Sequence, residues 1–597
     1  MNSYKAPLRD LRFALFDVLD VEPLFARLPG SDQANRELID AVLEESARFN
    51  ETVLVPLNQT GDAEGCHYDP ETGKVTTPKG FKDAYDQFVE NGWSGLTAPE
   101  DMGGQHLPET VGVAVKEMID AANLSWGTYP LLSHGATEAL KAHGEDWQRK
   151  VFLQPIVDGR WTGTMCLTEP HCGTDLGLLK TRAEPIADDK YAISGTKIFI
   201  TAGEHDLTEN IVHLVLARLP DAPAGTKGIS LFIVPKVKTD RDGNMGERNA
   251  VRCGSIEHKM GIKASATCVM NFDGAEGYLI GEANRGLNAM FTMMNTARLA
   301  VGIQGLGLID RAYQNSLAYA RDRLQMRALS GAKFPDKPAD PLIVHPDIRR
   351  MLLTQKAFAE GGRCMALHAA TLVDIVHRSE DADERKEADE LLSFMIPIVK
   401  ALLTEAAVEC TYDAMQIFGG HGYIAEWGME QLARDARITT VYEGTTGIQA
   451  LDLLGRKVMQ LSGVGAKHFL KQISDLCTAE ATNPVMGEFI GAMAQIAKEW
   501  QAITMEVGKR GAQDPDEIGA AAFDYLWYTG YLAMAYWWAR SVAAVHKSEH
   551  GDAYKAAKLE TARFYFQRIL PRAVAHGAAI RSGARTLLSL ADEGFDS

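Results

Sequence analysis

Three short strings hold the residues of this chain best placed to do chemistry. MCLTEPHCGTDLG at 165–177 is followed about twenty residues later by KIFITAG at 197–203, and YEGTTGIQ at 442–449 comes far downstream. The first combines backbone amides, the Thr168 hydroxyl and a Gly173–Thr174 turn, a set suited to hydrogen-bonding a flat heteroaromatic ring and its phosphates. A single Gly-Thr-Asp turn is more often only a polar connection between strands. In the third string Glu443 has glycine beside it, which lets backbone and side chain approach a ligand closely. A lone glutamate in such a turn is ordinarily a solvated surface acid. Held in a dry pocket it becomes a base, because burial raises the proton affinity of a carboxylate.

The elements that must position these strings follow from periodicity. Up to about Asp158 apolar residues recur at helical spacing, as in Glu37 to Phe49 and Thr110 to Ala121, with Gly/Pro punctuation at Pro99 to Gly104. From about Trp161 the texture changes to short alternating or β-branched runs, Tyr191 to Thr201, Ile211 to Leu219, Gly228 to Pro235 and Thr267 to Phe272, which predict a compact β domain. After Gly286 helical spacing returns through Asn288 to Arg323, Asp347 to His377 and Ala388 to Phe418, long enough for an antiparallel bundle, with Pro397 expected to kink or interrupt the third. Beyond Leu461 a further helical stretch breaks near Asn483 to Pro484 and Gly511 to Pro515. The chain is therefore read as mainly α with a central β domain, in four parts: 1–158 helical, 159–284 β, 285–460 a helical bundle carrying Glu443, and 461–597 an appended helical domain.

Composition narrows the function. With 79 acidic against 61 basic residues in 597, the net charge of −18 repels phosphate backbones and argues against nucleic acid as a partner. The eight cysteines form no CxxC pair and no tight Cys/His cluster, so neither a metal nor a disulfide framework is expected, and a reducing compartment fits. The opening MNSYKAPLRDLRFALFDVLD has no apolar core of signal-peptide length, which makes the cytoplasm the expected location. Tyr525 to Ala539 lacks charge but is only 15 residues long against the roughly 20 a bilayer requires, so a buried helix is expected there rather than membrane association.

Together these strings resemble the acyl-CoA dehydrogenase family over roughly residues 80 to 455. The resemblance implies that fold (helical domain, β-barrel-like domain, four-helix bundle) and FAD as cofactor. It implies that Met165, Leu167 and Thr168 hydrogen-bond the isoalloxazine edge, that Phe199 and Thr201 flank the ring, and that Gly173 and Thr174 lie on the same cofactor loop. Phe199 stands where tryptophan is common, and Thr174 replaces the usual serine. YARDRLQMR at 319–327 and QIFGGHGY at 416–423 resemble the parts that reach a neighbouring subunit's FAD: Arg323 and Gln325 toward the pyrophosphate, Gln416, Gly419 and Gly420 toward the adenosine, with Thr445 also assigned to the cofactor. His421 is expected to be structural. Glu443 corresponds to the base that takes the α proton of an acyl thioester while the flavin accepts the β hydride.

Some members place the base on an earlier helix, which here corresponds to Ala297 in MNTARLAVG, a residue that cannot act as one. Asn295, Arg298, Gly444 and Thr174 are implied on the substrate side, although Arg298 read alone is a surface helix charge. The chain's length, its YKAPLRDLRF opening and EHKMGIKASAT at 257–267 resemble a long-form bacterial branch that includes linear fatty acyl-CoA and 3-methylmercaptopropionyl-CoA dehydrogenases. A homodimer or dimer of dimers and an electron-transfer flavoprotein acceptor are implied. An acyl-CoA oxidase and a DNA-associated relative of the fold are the competing readings.

Overall fold

The computed structural model describes residues 3–187 and 189–596. Two compact units divide the chain: one holds 49–107 and 122–300, the other the chain up to Arg48, Pro108–Ala121 and everything from Val301 on.

A seven-stranded sheet dominates the first unit. Trp161–Cys166 lies at one side and pairs in parallel with Asn210–Ala217, and every other pairing in the sheet is antiparallel. Asn210–Ala217 and Ser230–Pro235 are buried at every position, which explains their nearly unbroken apolar run. The sheet curls until Arg182 bridges Arg218, bringing its far edge back beside the end of Asn210–Ala217 in a barrel-like closure. Thr267–Ile280 is a longer strand than the expected run to Phe272, because a register shift between Asp273 and Ala275 absorbs Gly274 and pairing with Lys190–Thr201 continues beyond it. The Leu124–His143 helix packs on the strand carrying Met165. Gly163 permits the close approach, since a Cβ there would fall 2.3 Å from that of Ala136. A short hairpin, His67–Asp69 with Lys74–Thr76, was not legible as strand.

Long helices build the second unit. Pro346–Arg378 and Ala382–Phe418 pack side by side with the part of Gly286–Asp322 that lies beyond Val301. Pro397 does not interrupt its helix. Both its neighbours are buried, and core packing holds the helix through the lost hydrogen bond. Close contact with Gly286–Asp322 comes from glycine: a Cβ at Gly305 would meet the Leu403 carbonyl at 2.6 Å, and one at Gly302 would meet Val399 at 3.0 Å.

Asp516–Lys547 contains the uncharged Tyr525–Ala539 run, which is almost wholly buried in protein. It seats against Pro346–Arg378, where Gly361 admits Met534 and Trp538 and the Trp538 indole donates to the Ala357 carbonyl at 3.1 Å. Among the described residues one stretch, Ala382–Tyr423, is long and apolar enough to cross a membrane, and 83% of its most apolar window is buried inside the protein. At the centre of this unit Arg363 bonds Glu117, Asp310 at 3.2 Å and Asp10, while Lys558 reaches Asp10 and, at 2.8 Å, Glu360.

Candidate active site

In the sheet unit, backbone pairing and one buried ion pair fix the two cofactor-like strings. Ile198 N–H donates to the Thr168 carbonyl at 2.9 Å, joining them directly. The buried Lys197 ammonium donates to the Leu167 carbonyl at 3.0 Å and to Glu169 at 2.9 Å. Glu169 also accepts from Lys180 N–H, Thr181 N–H and the Thr181 hydroxyl, at 2.7, 3.0 and 2.6 Å. Burial would raise its carboxyl, but the Lys197 charge and these hydrogen bonds outweigh burial and hold it below the usual range.

Opposite Val269 the Lys190–Thr201 strand bulges, with Ile198 and Phe199 facing one partner residue. Phe199 adopts φ +58° and is 59% exposed. A bulky residue in the left-handed region and an uncovered aromatic face are both unusual, and together they describe a flat surface presented outward. Met165 is buried, Leu167, Thr168 and Thr201 are half-buried, and Gly173 and Thr174 lie exposed on the loop. Asn295 is exposed. Arg298 is only 6% exposed, which corrects its reading as a surface helix charge.

The same loop gathers Glu169, His171 and Cys172 with ligand-type atoms within 4.8 Å, a proximity missed when the cysteines were read for spacing alone. Their donors are engaged in the fold. Glu169 serves Lys197 and Thr181, His171 Nε2 lies 2.9 Å from the Leu178 carbonyl, and burial raises the Cys172 thiol away from the thiolate.

In the helical unit, side chains hold the Glu443 turn. Met429–Thr439 ends just before it, Glu443 and Gly444 both take positive φ (+55° and +89°), and Thr445 caps Thr446–Leu451 by accepting from Ile448 N–H at 3.3 Å. Gln449 Nε2 donates to the Glu443 carbonyl at 3.1 Å, and Lys400 Nζ to the Gly444 carbonyl at 2.8 Å. The Tyr442 hydroxyl donates to Gln304 at 2.5 Å and that of Thr446 to Glu405 at 2.5 Å. Burial, followed by the charges of Asp120, Glu443 and Asp435, drives the Tyr442 hydroxyl well above its ordinary value. Glu443 itself is half-buried.

Elsewhere in this unit Tyr319 stacks on Phe418 at 4.1 Å and hydrogen-bonds His421 Nδ1 at 2.9 Å, setting the Arg323 string beside the Gly419–Gly420 loop. His421 also stacks on Trp427 at 4.4 Å. Arg323, Gln325 and Gln416 are exposed, and a Cβ at Gly419 or Gly420 would meet nothing within 4 Å.

Family models match along most of the chain: Acyl-CoA dehydrogenase, N-terminal domain at 39–160, middle domain at 164–275 and C-terminal domain at 284–459, then Acetyl-CoA dehydrogenase C-terminal like at 469–591. The 3-methylmercaptopropionyl-CoA dehydrogenase of Ruegeria pomeroyi is 43% identical over 98% of this chain and 99% of its own length. The chain belongs to the acyl-CoA dehydrogenase family. Another member, the broad-specificity linear acyl-CoA dehydrogenase FadE5 of Mycobacterium tuberculosis, is 33% identical over the full length of both. The fold is shared with the acyl-CoA dehydrogenase of Bacillus anthracis solved with FAD, at TM-score 0.74 and 19% identity over 93% of this chain and 91% of that one.

Within this acyl-CoA dehydrogenase, Lys400, Gln449, Gln304 and Glu405 escaped sequence reading. Lys400 left one signal, a single cation inside the apolar run FMIPIVKALL, where a lysine is seldom buried without a task.

Proposed function

We propose that Glu443 is the base by which this enzyme takes the α proton of a short linear acyl-CoA, 3-methylmercaptopropionyl-CoA being the preferred substrate. The observation that carries the assignment is the 442–446 turn. A non-glycine residue is held in the left-handed region by hydrogen bonds to its own and the next carbonyl, so the carboxylate is presented on a fixed stem. The α proton of a thioester is weakly acidic, and a positioned carboxylate is the general base its removal needs. The substrate preference is supported by the identity to the Ruegeria enzyme, and linear acyl-CoA of other lengths is the next choice through FadE5.

The residues present fit FAD. The uncovered Phe199 side chain suits one face of a flat ring system, and we assign Met165, Leu167, Thr168, Thr201, Gly173 and Thr174 to the cofactor through their backbone and hydroxyl groups. FAD supplies, when bound, the acceptor for the β hydride. Arg323, Gln325, Gln416, Gly419 and Gly420 face solvent with open space before the glycines, and we assign them, with Thr445, to the dinucleotide held by a second copy of the chain. Asn295, Arg298 and Gly444 are assigned to the substrate, an electron-transfer flavoprotein to reoxidation, and the cytoplasm to the location.

The test is anaerobic bleaching of bound flavin after mixing with 3-methylmercaptopropionyl-CoA and with butyryl-CoA. Glu443→Gln keeps side-chain volume and backbone but cannot take a proton, so bleaching should slow by roughly 10² to 10⁴ with flavin content unchanged. Near-normal bleaching would place the base elsewhere, and faster bleaching with butyryl-CoA would reverse the substrate order.

A further inference from the structure

Lys400 is 0% exposed, on a helix whose neighbours fix it tightly. Val399 and Leu403, on either side of it in sequence, meet the backbone of Gly286–Asp322 at Gly302 and Gly305. Burying an ammonium is costly, and a neutral amide could donate the same hydrogen bond without that cost. The Lys400 ammonium donates at 2.8 Å to the carbonyl one residue after Glu443. Five residues along the same helix Glu405 accepts from Thr446, so one rigid element grips the turn at two points.

We propose that Lys400 is the positioning residue of the base turn: from the core of Ala382–Phe418 its ammonium holds the Gly444 carbonyl and so sets where Glu443 presents its carboxylate. This rests on Glu443 being the base. The charge has a use that a neutral donor lacks, because a cation buried behind the turn favours the ionised carboxylate, the form able to accept a proton. Other charged groups facing the turn are Asp120 with its partner Lys116, Asp435, Glu405, and Arg437 on Thr440. All of these persist when Lys400 alone is changed.

The experiment compares FAD-loaded Lys400→Met, Lys400→Gln and Lys400→Arg with the unaltered protein and with Glu443→Gln. One readout is exchange of the α hydrogen of a 3-thia acyl-CoA with solvent deuterium, since that ligand can lose an α proton but has no β hydrogen to transfer. The other is the acid limb of the kcat profile. Lys400→Met and Lys400→Gln should slow exchange roughly 10- to 100-fold with KM little changed. Loss of the cation raises the carboxyl's proton affinity, so their acid limb should move up by about one pH unit, and Lys400→Arg should bring it back. If Lys400→Met does not fold, Lys400→Gln, which keeps a donor without charge, decides alone. Wild-type exchange and an unmoved acid limb in Lys400→Gln, with exchange abolished in Glu443→Gln, would overturn the role of Lys400 only. Wild-type exchange in Glu443→Gln would overturn the base assignment and this proposal with it.

Discussion

The strings in the sheet unit and the turn in the helical unit are held by different means. Around Thr168 and Phe199 the restraint is strand pairing, a bulge in register and one ion pair, Lys197 with Glu169, buried beneath the loop. Around Glu443 it is a set of long side chains, Lys400, Gln449, Tyr442 with Gln304, and Thr446 with Glu405, each reaching from a helix to one point of the turn. A surface that must stay flat is suited to backbone pairing, which few single substitutions can undo. A carboxylate that must be aimed is suited to separate struts, each of which can be removed on its own.

The contrast breaks first at the buried ion pair beneath the sheet unit's loop. Lys197→Met would leave Glu169 buried without its cation, at a cost of about 3–5 kcal/mol. Chemical denaturation should show that loss, with flavin retention falling alongside it. A loss under 1 kcal/mol would mean that strand pairing alone holds the loop.

Acid should separate the two units next. His205 and His213 in the sheet unit are buried and held below their ordinary values by burial. A histidine depressed in the fold contributes stability above about pH 6.5 that is lost as pH falls, at up to about 1.4 kcal/mol per unit for each. In the helical unit His368, pushed down to about 3 by burial, acts in the same direction. Asp120 and Asp374, both raised to about 6 by burial, act in the opposite one, since a raised carboxyl gains stability as pH falls through its folded value. Between pH 6.5 and 5, hydrogen exchange should therefore accelerate in Asn210–Ala217 and Trp161–Cys166 well before Pro346–Arg378. Equal acceleration in both would remove the distinction.

The smallest effect sharpens the account of the struts. Tyr442→Phe deletes the bond to Gln304 and leaves a buried amide unsatisfied, which should cost about 1–2 kcal/mol. Because the turn keeps its other struts, kcat should fall only a few-fold. A fall matching that of Glu443→Gln would make Tyr442 part of the chemistry.

Much of this organisation is legible along the chain, and the exceptions have physical causes. Asn210–Ala217 and Arg36–Phe49 follow their apolar periods within a residue or two. Thr267–Ile280 does not, because bulges hide strand character behind Gly274 and Asp273, residues typical of turns. Pro397 does not end its helix, because propensity is local whereas the packing that keeps the helix continuous is not. Glu443 stands out through its glycine neighbour, but apart from the local Gln449 its struts come from positions 304, 400 and 405, which only the folded bundle brings together. Arg298 reads as a surface charge because its spacing does not reveal which helix face is covered.

The Arg363 cluster has a consequence for how the protein is made. Its partners include Asp10, made long before it, and through Asp10 also Lys558, about 200 residues after Arg363 itself. At the usual pace of translation that interval lasts roughly 10–40 s. Throughout it the nascent helical unit must carry Asp10, Glu360 and Arg363 without Lys558, and Pro346–Arg378 without the Trp538 that seats at Gly361. Final closure of this unit must therefore wait until Trp538 and Lys558 have been made, and the half-made chain is the form for which chaperones must compete with aggregation.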